Sequence, residues 1–465
     1  MSGEQTHGPL AGLRVSVPGT GAAAWHAARM LAWLGATPDT SARNVGWAAD
    51  WAASGAMALT GLRDGPPLLP SGQAASAVRG ALLALECLAR LRGQEAVLPG
   101  AGVLSERAAI AGLRRNAPRS AGGAFQLLRA ADGWVGINLA RQSDAELMPA
   151  WLGQSAPVLA APVLAAPVLA APVLAAAVAC RTASELADRA RVLGLAAAAL
   201  PAGSDEQLAA RGQVGEVRPF VLTGQPDPAH WTVRPMLVVD LSSLWAGPLC
   251  GHLLGMLGAR VVKVESISRP DGARFGPRAF YDLLHAGQES VALDFGTAEG
   301  RAALAGLIGA ADVVIEGSRP RALRQLGIDV EDVLASAQDK CWVSITAYGR
   351  TGPWANAAGF GDDTALAAGL IAFDPETGIP APCGDAIADP VTGVNAALVA
   401  LACCMAGGTW LADLALREQV AATMIETGEP GPVDSVAAPA CRRPAGRAPD
   451  LGADTSAVLA ELRLP

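Results

Sequence analysis

No Lys/Arg-rich run occurs along the 465 residues, and the formal charge at neutral pH is −8. A polyanionic nucleic acid would meet repulsion rather than counterion release, so no nucleic-acid partner is expected. CxxC pairs are missing as well. The eight cysteines, Cys87, Cys180, Cys250, Cys341, Cys383, Cys403, Cys404 and Cys441, show no disulfide or zinc spacing and read as reduced, mostly buried thiols. There is no HExxH or paired His-carboxylate spacing among the five histidines, which leaves no metal site to propose. The strand-turn-helix pattern at Asp240 lacks GxGxxG, so a dinucleotide redox cofactor is unsupported. The opening MSGEQTHGPLAGLR has no cationic start followed by an apolar run, so no secretory signal is read there and a cytoplasmic location is expected.

Against these absences, 51% of the residues are hydrophobic, enough for more than one core. The apolar run 393–411 fits a buried core helix better than a membrane span, because Gly, Asn and a GlyGly pair dilute it. A tandem APVLA repeat runs from Ala156 to Ala175, and its prolines at every fifth position suit a stiff extended linker rather than a helix. From Met236 onward short apolar runs alternate with helical stretches. MLVVDL, RVVKVE, ADVVIEG and KCWVSITAYG read as buried strands; PLCGHLLGMLGA, RAALAGLIGA, RALRQLG and VEDVLASA read as helices. This order predicts an α/β fold: a doubly wound, mostly parallel, Rossmann-like sheet with ligands outside the carboxyl ends of its strands.

The N-terminal half repeats part of the pattern. Residues 13–36 run parallel to residues 236–259, and the stretch from Ser71 matches that from Gly384, which aligns Gly80 with Gly393 and Ser76 with Asp389. A duplication is expected in which the first copy has lost its carboxylate. The domain plan is a degenerate partial copy over 1–100; a smaller α+β region over 101–230, interrupted by the repeat linker at 156–178; a catalytic domain over 231–425; and a Pro/Gly-rich linker with a C-terminal tail over 426–465.

LSSLWAGPLCGHLLGMLGARVVKVE, residues 241–265, resembles the opening of the class III CoA-transferases, the CaiB/BaiF group that contains formyl-CoA transferase. SVALDFGTAEG, ADVVIEGSRPRALRQLGI, SITAYGRTGPWANAAGFGDD and DAIADPVTGVNAALVAL follow in family order, and DLGADTSAVLAEL resembles the family's C-terminal signature. Segments from Ser120 and Arg181 resemble the family's small domain, so the N-terminal half is expected to supply that domain. The resemblance leaves open whether one chain completes one site or two chains do so as a homodimer.

The resemblance implies an acyl-CoA and a carboxylic acid as substrates, no membrane partner, no permanently bound cofactor, and Asp389 as the acyl-accepting carboxylate. An Asp ahead of a helix is also an ordinary N-cap, where backbone N–H groups favour its ionised form. Oxyanion donors are sought at Ala246 and Gly247 and at Gly122 and Gly123, although the second pair reads equally as a turn. CoA contacts are expected from Ser243, Trp245, Glu265, Arg269, Arg274, Leu293, Gly317, Arg319, Arg321 and Tyr348. The chain departs from the family at Gln288, Glu289, Gly317, Ser318 and Gln325, where an Asn-Lys pair, an Asn-Phe pair and an Arg are usual. These losses motivate an alternative, a catalytically inactive CoA-binding or scaffold paralogue. A racemase or lyase of the same family is a further alternative, but Phe360 occupies the racemase histidine position and cannot carry a proton.

Overall fold

The computed structural model describes residues 8–153, 171–200, 206–213, 215–227 and 235–465. Most of the APVLA repeat lies outside them, but the extended linker expected over 156–178 is corrected at its end: Ala171–Ala179 is a helix, since a proline in the first turn removes no helical hydrogen bond, and Leu174 and Val178 are buried in the core of the smaller domain. The central sheet has seven strands in the order Val221–Gln225, Thr409–Ala415, Lys340–Thr346, Val313–Glu316, Leu237–Asp240, Arg260–Ser266 and Glu289–Leu293. All neighbours pair in parallel except the first strand, which runs antiparallel along the edge. Val238, Val239, Val262, Val313, Val314, Ile315 and Val343 are wholly buried. Such β-branched runs without polar alternation are what a sheet covered on both faces requires.

Helices cover both faces. Ala246–Met256 and Ala388–Ala406 pack on one side with the N-terminal helices, and Ala298–Ala310 and Val330–Ser336 shield the other. The fold is therefore the expected doubly wound α/β sheet. Within the stretch assigned to the small domain, Val221–Gln225 instead joins the large sheet, because its backbone groups pair with Asp413–Thr409. The apolar run 393–411 is likewise divided. Gly407 and Gly408, both at positive φ, end the helix Ala388–Ala406 and start the strand Thr409–Ala415. That helix is long and apolar enough to cross a membrane, and 89% of its apolar window is buried inside the protein.

A smaller antiparallel sheet, Phe125–Arg129, Trp134–Asn138 and Ala196–Leu200, forms an α+β layer with the helix Ala183–Leu193. Its other face meets the large domain, where Phe125, Leu127 and Ala198 pack on Tyr348, Leu366 and Ile371.

The N-terminal half also contains a strand-helix-strand unit, Arg14–Ser16, Ala22–Trp33 and Thr37–Asp39, followed by the helix Ala74–Leu91. The two helix pairs cross at matching points. A Cβ on Gly80 would lie 2.6 Å from the Ala23 carbonyl oxygen and 2.6 Å from His26 Cβ. A Cβ on Gly393 would lie 2.6 Å from the Ala246 carbonyl oxygen and 2.9 Å from Leu249 Cβ. Both crossings need a residue without a side chain, and both use corresponding positions of the sequence match. Ser76, opposite Asp389 in that match, donates its hydroxyl to Asp50 at 2.5 Å, and Asp50 is also paired with Arg79.

The C-terminal residues run as an extended strap across both halves. Glu429 accepts from the Gly46 N–H, the Ala437 N–H donates to Ala52, and Arg442 binds Glu106. The final helix Thr455–Glu461 then lies against the edge strand Glu289–Leu293, with the Asp454 N–H bonded to Ser290 at 2.9 Å.

Candidate active site

Asp389 sits in the first turn of the Ala388–Ala406 helix, whose N-cap is Ile387. The expected position ahead of the helix is thus corrected by one turn, and Asp389 does not cap its own helix. Its carboxylate faces a neighbouring element instead, where the Gly361 N–H donates to it. A side chain at Gly361 would collide with this arrangement, since a Cβ there would stand 2.7 Å from Asp389 Oδ2. The residue keeps partial solvent access. Burial dominates its electrostatics and raises the carboxyl pKa to about 7; Arg107 opposes the rise, while Asp362 and Asp385 add to it. The expectation that helix amides favour the ionised form fails here because desolvation outweighs them.

Two further carboxylates surround it. Asp385 is fully buried and forms a two-point ion pair with Arg107, through Nε at 2.9 Å and Nη2 at 2.5 Å. Asp362 accepts the Ala386 N–H at 2.9 Å, and burial followed by the Asp385 charge lifts its pKa to about 6. Arg107, Asp362 and Asp385 were not singled out from sequence. The available signal was the four-residue spacing of Asp385 and Asp389, which suits one side of a helical turn; Arg107 is more than 270 positions away and left no local sign.

The glycine pair is close by. A Cβ on Gly122 would lie 3.3 Å from Asp385 Oδ1 and 3.5 Å from Arg107 Nη2, and Gly123 closes a turn at φ +80 with its N–H bonded to Ser120. Ala246 and Gly247 open the helix that crosses Gly393, and the Ala246 carbonyl is turned into that crossing. Trp245 is buried, has Arg107 stacked 5.4 Å from its ring, and its indole N–H finds no hydrogen-bond partner among the described residues.

The remaining candidates divide into two groups. Glu265 and Arg274 bind each other, at 2.6 Å, and Arg274 also reaches Ser290 and the Pro449 carbonyl, so both are occupied with internal bonds. Leu293 and Tyr348 are buried in hydrophobic clusters. Of the departures from the family pattern, Gln288 bonds His285 and Glu289 bonds Arg260. Lys263 is buried between Asp240 and Asp271, each at 3.3 Å. By contrast Ser243, Arg269, Gly317 and Arg321 are exposed and Arg319 is half-buried at the carboxyl ends of the strands.

Arg319 and Arg321 line a cavity of about 440 Å³ together with Arg141, Arg191, Leu147 and Asn356. Burial and the like charges of Arg321, Arg141 and Arg269 push the Arg319 pKa down, the signature of crowded cations. Arg141 and Arg191 come from the N-terminal half and escaped the sequence reading. The Arg141 guanidinium lies 5.9 Å from the Phe360 ring, and Phe360 precedes the Gly361 that faces Asp389. The histidines of the catalytic half point elsewhere: His252 bonds Arg442, His285 bonds Gln288, and burial lowers both pKa values to about 4.

The family model for CoA-transferase family III matches residues 234–427, which include Asp389, Arg319 and the whole parallel part of the sheet. The match covers less than half of the chain. Two relatives carry related names. The succinate-glutarate CoA-transferase of Agrobacterium fabrum is 33% identical over 171 residues, 34% of this chain and 43% of its own length. The human succinyl-CoA:glutarate CoA-transferase is 31% identical over 185 residues, 37% of this chain and 42% of its own length. A CaiB/BaiF family protein from Brucella suis, a solved structure, is 31% identical and covers 40% of this chain and 53% of that one at a TM-score of 0.38. The chain spans half or less of the length of these two named relatives. Within the matched segment lie Asp389, Asp385 and Asp362; Arg107 and Gly122 lie outside it, in the N-terminal half.

Proposed function

We propose that this protein is a cytoplasmic CoA-transferase that moves CoA from an acyl-CoA to a carboxylic acid, with Asp389 as the acyl acceptor. The observation that carries the reading is the placement of Asp389: a partly accessible carboxylate in a helix's first turn, facing the Gly361 N–H rather than capping its own helix. The ionised carboxylate attacks the thioester carbonyl, forming a mixed anhydride and releasing CoA thiolate. The thiolate then attacks the aspartyl carbonyl, the acyl group leaves as its carboxylate, and an aspartyl-CoA thioester remains. The acceptor carboxylate attacks that thioester, and the returning CoA thiolate completes the new acyl-CoA and frees Asp389. No proton is consumed, so a group with a pKa near neutrality serves as nucleophile once it is ionised.

The backbone at Ala246 and Gly247 and at Gly122 and Gly123 is proposed to stabilise the oxyanion. Arg319 and Arg321, joined by Arg141, Arg191 and Arg269, are proposed to hold the CoA phosphates, since guanidinium forks match phosphate oxygens. Ser243 and Gly317, exposed at the strand ends, are proposed to border the approach, with Trp245 buried behind them. The named functions of the relatives support acyl-CoA and small acids as the substrate class. The N-terminal half is proposed to be a duplicated copy that lost its carboxylate and completes the site within the same chain; the matched Gly80 and Gly393 crossings support this.

Incubation with mixed acyl-CoAs followed by peptide mass spectrometry tests the reading through an acyl or CoA adduct on Asp389. Asp389→Asn is expected to lower exchange of labelled acid into thioester by about a hundredfold or more while thioester binding persists. Exchange that survives within about tenfold removes Asp389 from the nucleophile role. Binding with no exchange in the unmodified protein favours the inactive paralogue, and product without acceptor acid favours a lyase.

A further inference from the structure

The turn that leads into Asp389 is gripped from the N-terminal half at three points. The Gly384 N–H donates to Thr60 Oγ1 at 2.9 Å. Arg107 forks onto Asp385. The Ser120 hydroxyl donates to Asp362, which in turn accepts the Ala386 N–H. Between these bonds Ala386 is held at φ +45, a conformation that a non-glycine residue adopts only under constraint. The Asp389 N–H bonds back to the Ala386 carbonyl at 3.0 Å, so this constrained residue sets where the first helical turn begins.

Charge makes the grip more than mechanical. Asp385 precedes Asp389 on the same turn, Asp362 faces both from the helix Gly361–Ala367, and Asp363 follows Asp362, bonded to the Phe360 N–H at 2.9 Å. Cys383 lies beside Asp362. Among the described residues the cation set against these acids is Arg107, from the helix Glu106–Ala111, and it is attached to the Asp385 side of the group. Like charges at such separations cannot all be ionised in a buried site unless a cation stands among them.

We propose that Arg107 is the positioning residue of the active site: by forking onto Asp385 it fixes the Ala386 turn and supplies the charge that favours the ionised form of Asp389 against burial. The assignment rests on the transferase reading for its meaning, but the ionisation of Asp389 is measurable without turnover.

The test uses the full-length protein. Asp389 is labelled with a water-soluble carbodiimide across about pH 5 to 9 and quantified by peptide mass spectrometry; only its protonated form reacts. Arg107→Gln is expected to raise the labelling midpoint by about one pH unit or more, and Arg107→Lys to keep it within about half a unit of the unmodified protein. In acid-exchange assays the acid limb of the Arg107→Gln rate profile moves upward by the same amount, while KM for acyl-CoA changes less than about threefold. A midpoint unchanged in Arg107→Gln overturns the assignment. Where that variant does not fold, Arg107→Gln/Asp385→Asn is compared with Asp385→Asn, a pair that differs only in the guanidinium. The double variant is expected to titrate higher, and coincident midpoints overturn the proposal. An unmodified protein that labels as expected but exchanges no acid overturns the transferase reading and leaves the Arg107 assignment standing.

Discussion

The reactive role proposed for Asp389 comes with an energetic cost. Its pKa near 7 lies well above the ordinary aspartate value of about 4, so between those limits the folded protein holds a proton that the unfolded chain has released. Stability attributable to this group is therefore greatest below about pH 4, falls as pH rises through the window, and stays low above pH 7. Asparagine has no such dependence. Asp389→Asn is expected to unfold at nearly the same temperature as the unmodified protein at about pH 4 and to be more stable by roughly 1–3 kcal/mol at about pH 8. Thermal denaturation at the two pH values checks this. An Asn variant less stable at the higher pH would show that the carboxylate is held by its partners rather than opposed by burial. A buried carboxylate that costs stability at neutral pH is consistent with the proposed nucleophilic role.

Gly80 and Gly393 set the geometry of the helices. Each lets one helix approach another's backbone so closely that a methyl group would intrude on a carbonyl oxygen 2.6 Å away. Backbone atoms cannot swing aside as a flexible side chain would, so the helices must separate. Gly80→Ala and Gly393→Ala are each expected to lower stability by about 1–3 kcal/mol in urea unfolding. Gly393→Ala is expected to reduce exchange as well, because the displaced helix carries Asp389 one turn away. If either alanine is tolerated without loss, the crossings are looser than these contacts require. The helices themselves were legible from sequence as apolar stretches with the right spacing. Their ends were less so: the stop at Gly407 and Gly408 lies inside a run whose composition reads as one continuous apolar element.

At the scale of the molecule the two halves are interlocked. Arg211, in the N-terminal half, has a side chain 1% exposed that binds Asp413 at 2.6 Å and Glu418 through two bonds at 2.5 and 2.9 Å. Removing it leaves two buried carboxylates without their cation. Arg211→Leu is expected to cost about 3–5 kcal/mol near neutral pH and less near pH 5, since Glu418, whose pKa burial already raises, can then take up a proton. Denaturant midpoints at both pH values measure it, and an equal loss at each would point to packing instead. Residues 235–465 expressed alone would expose the face of the Ala388–Ala406 helix that the helix Ala74–Leu91 covers. That fragment is expected to aggregate, and co-expression of residues 1–234 to restore a soluble complex detectable by size-exclusion chromatography. A monomeric, folded fragment would show that the N-terminal half is dispensable to the fold.

The order of strands and helices, the two-sided burial of the sheet and the candidacy of Asp389 were all present in the sequence, because hydrophobic periodicity and short motifs are local properties. The companions of Asp389 were decided by the tertiary structure alone. Arg107 meets Asp385 across 278 positions, and Arg141 and Arg191 meet Arg319 and Arg321 in one cavity, through folding of the N-terminal half over the sheet. The direction of the Asp389 pKa belongs to the same class: a helix start favours the charge, the surrounding protein opposes it, and only the packed structure determines which is larger.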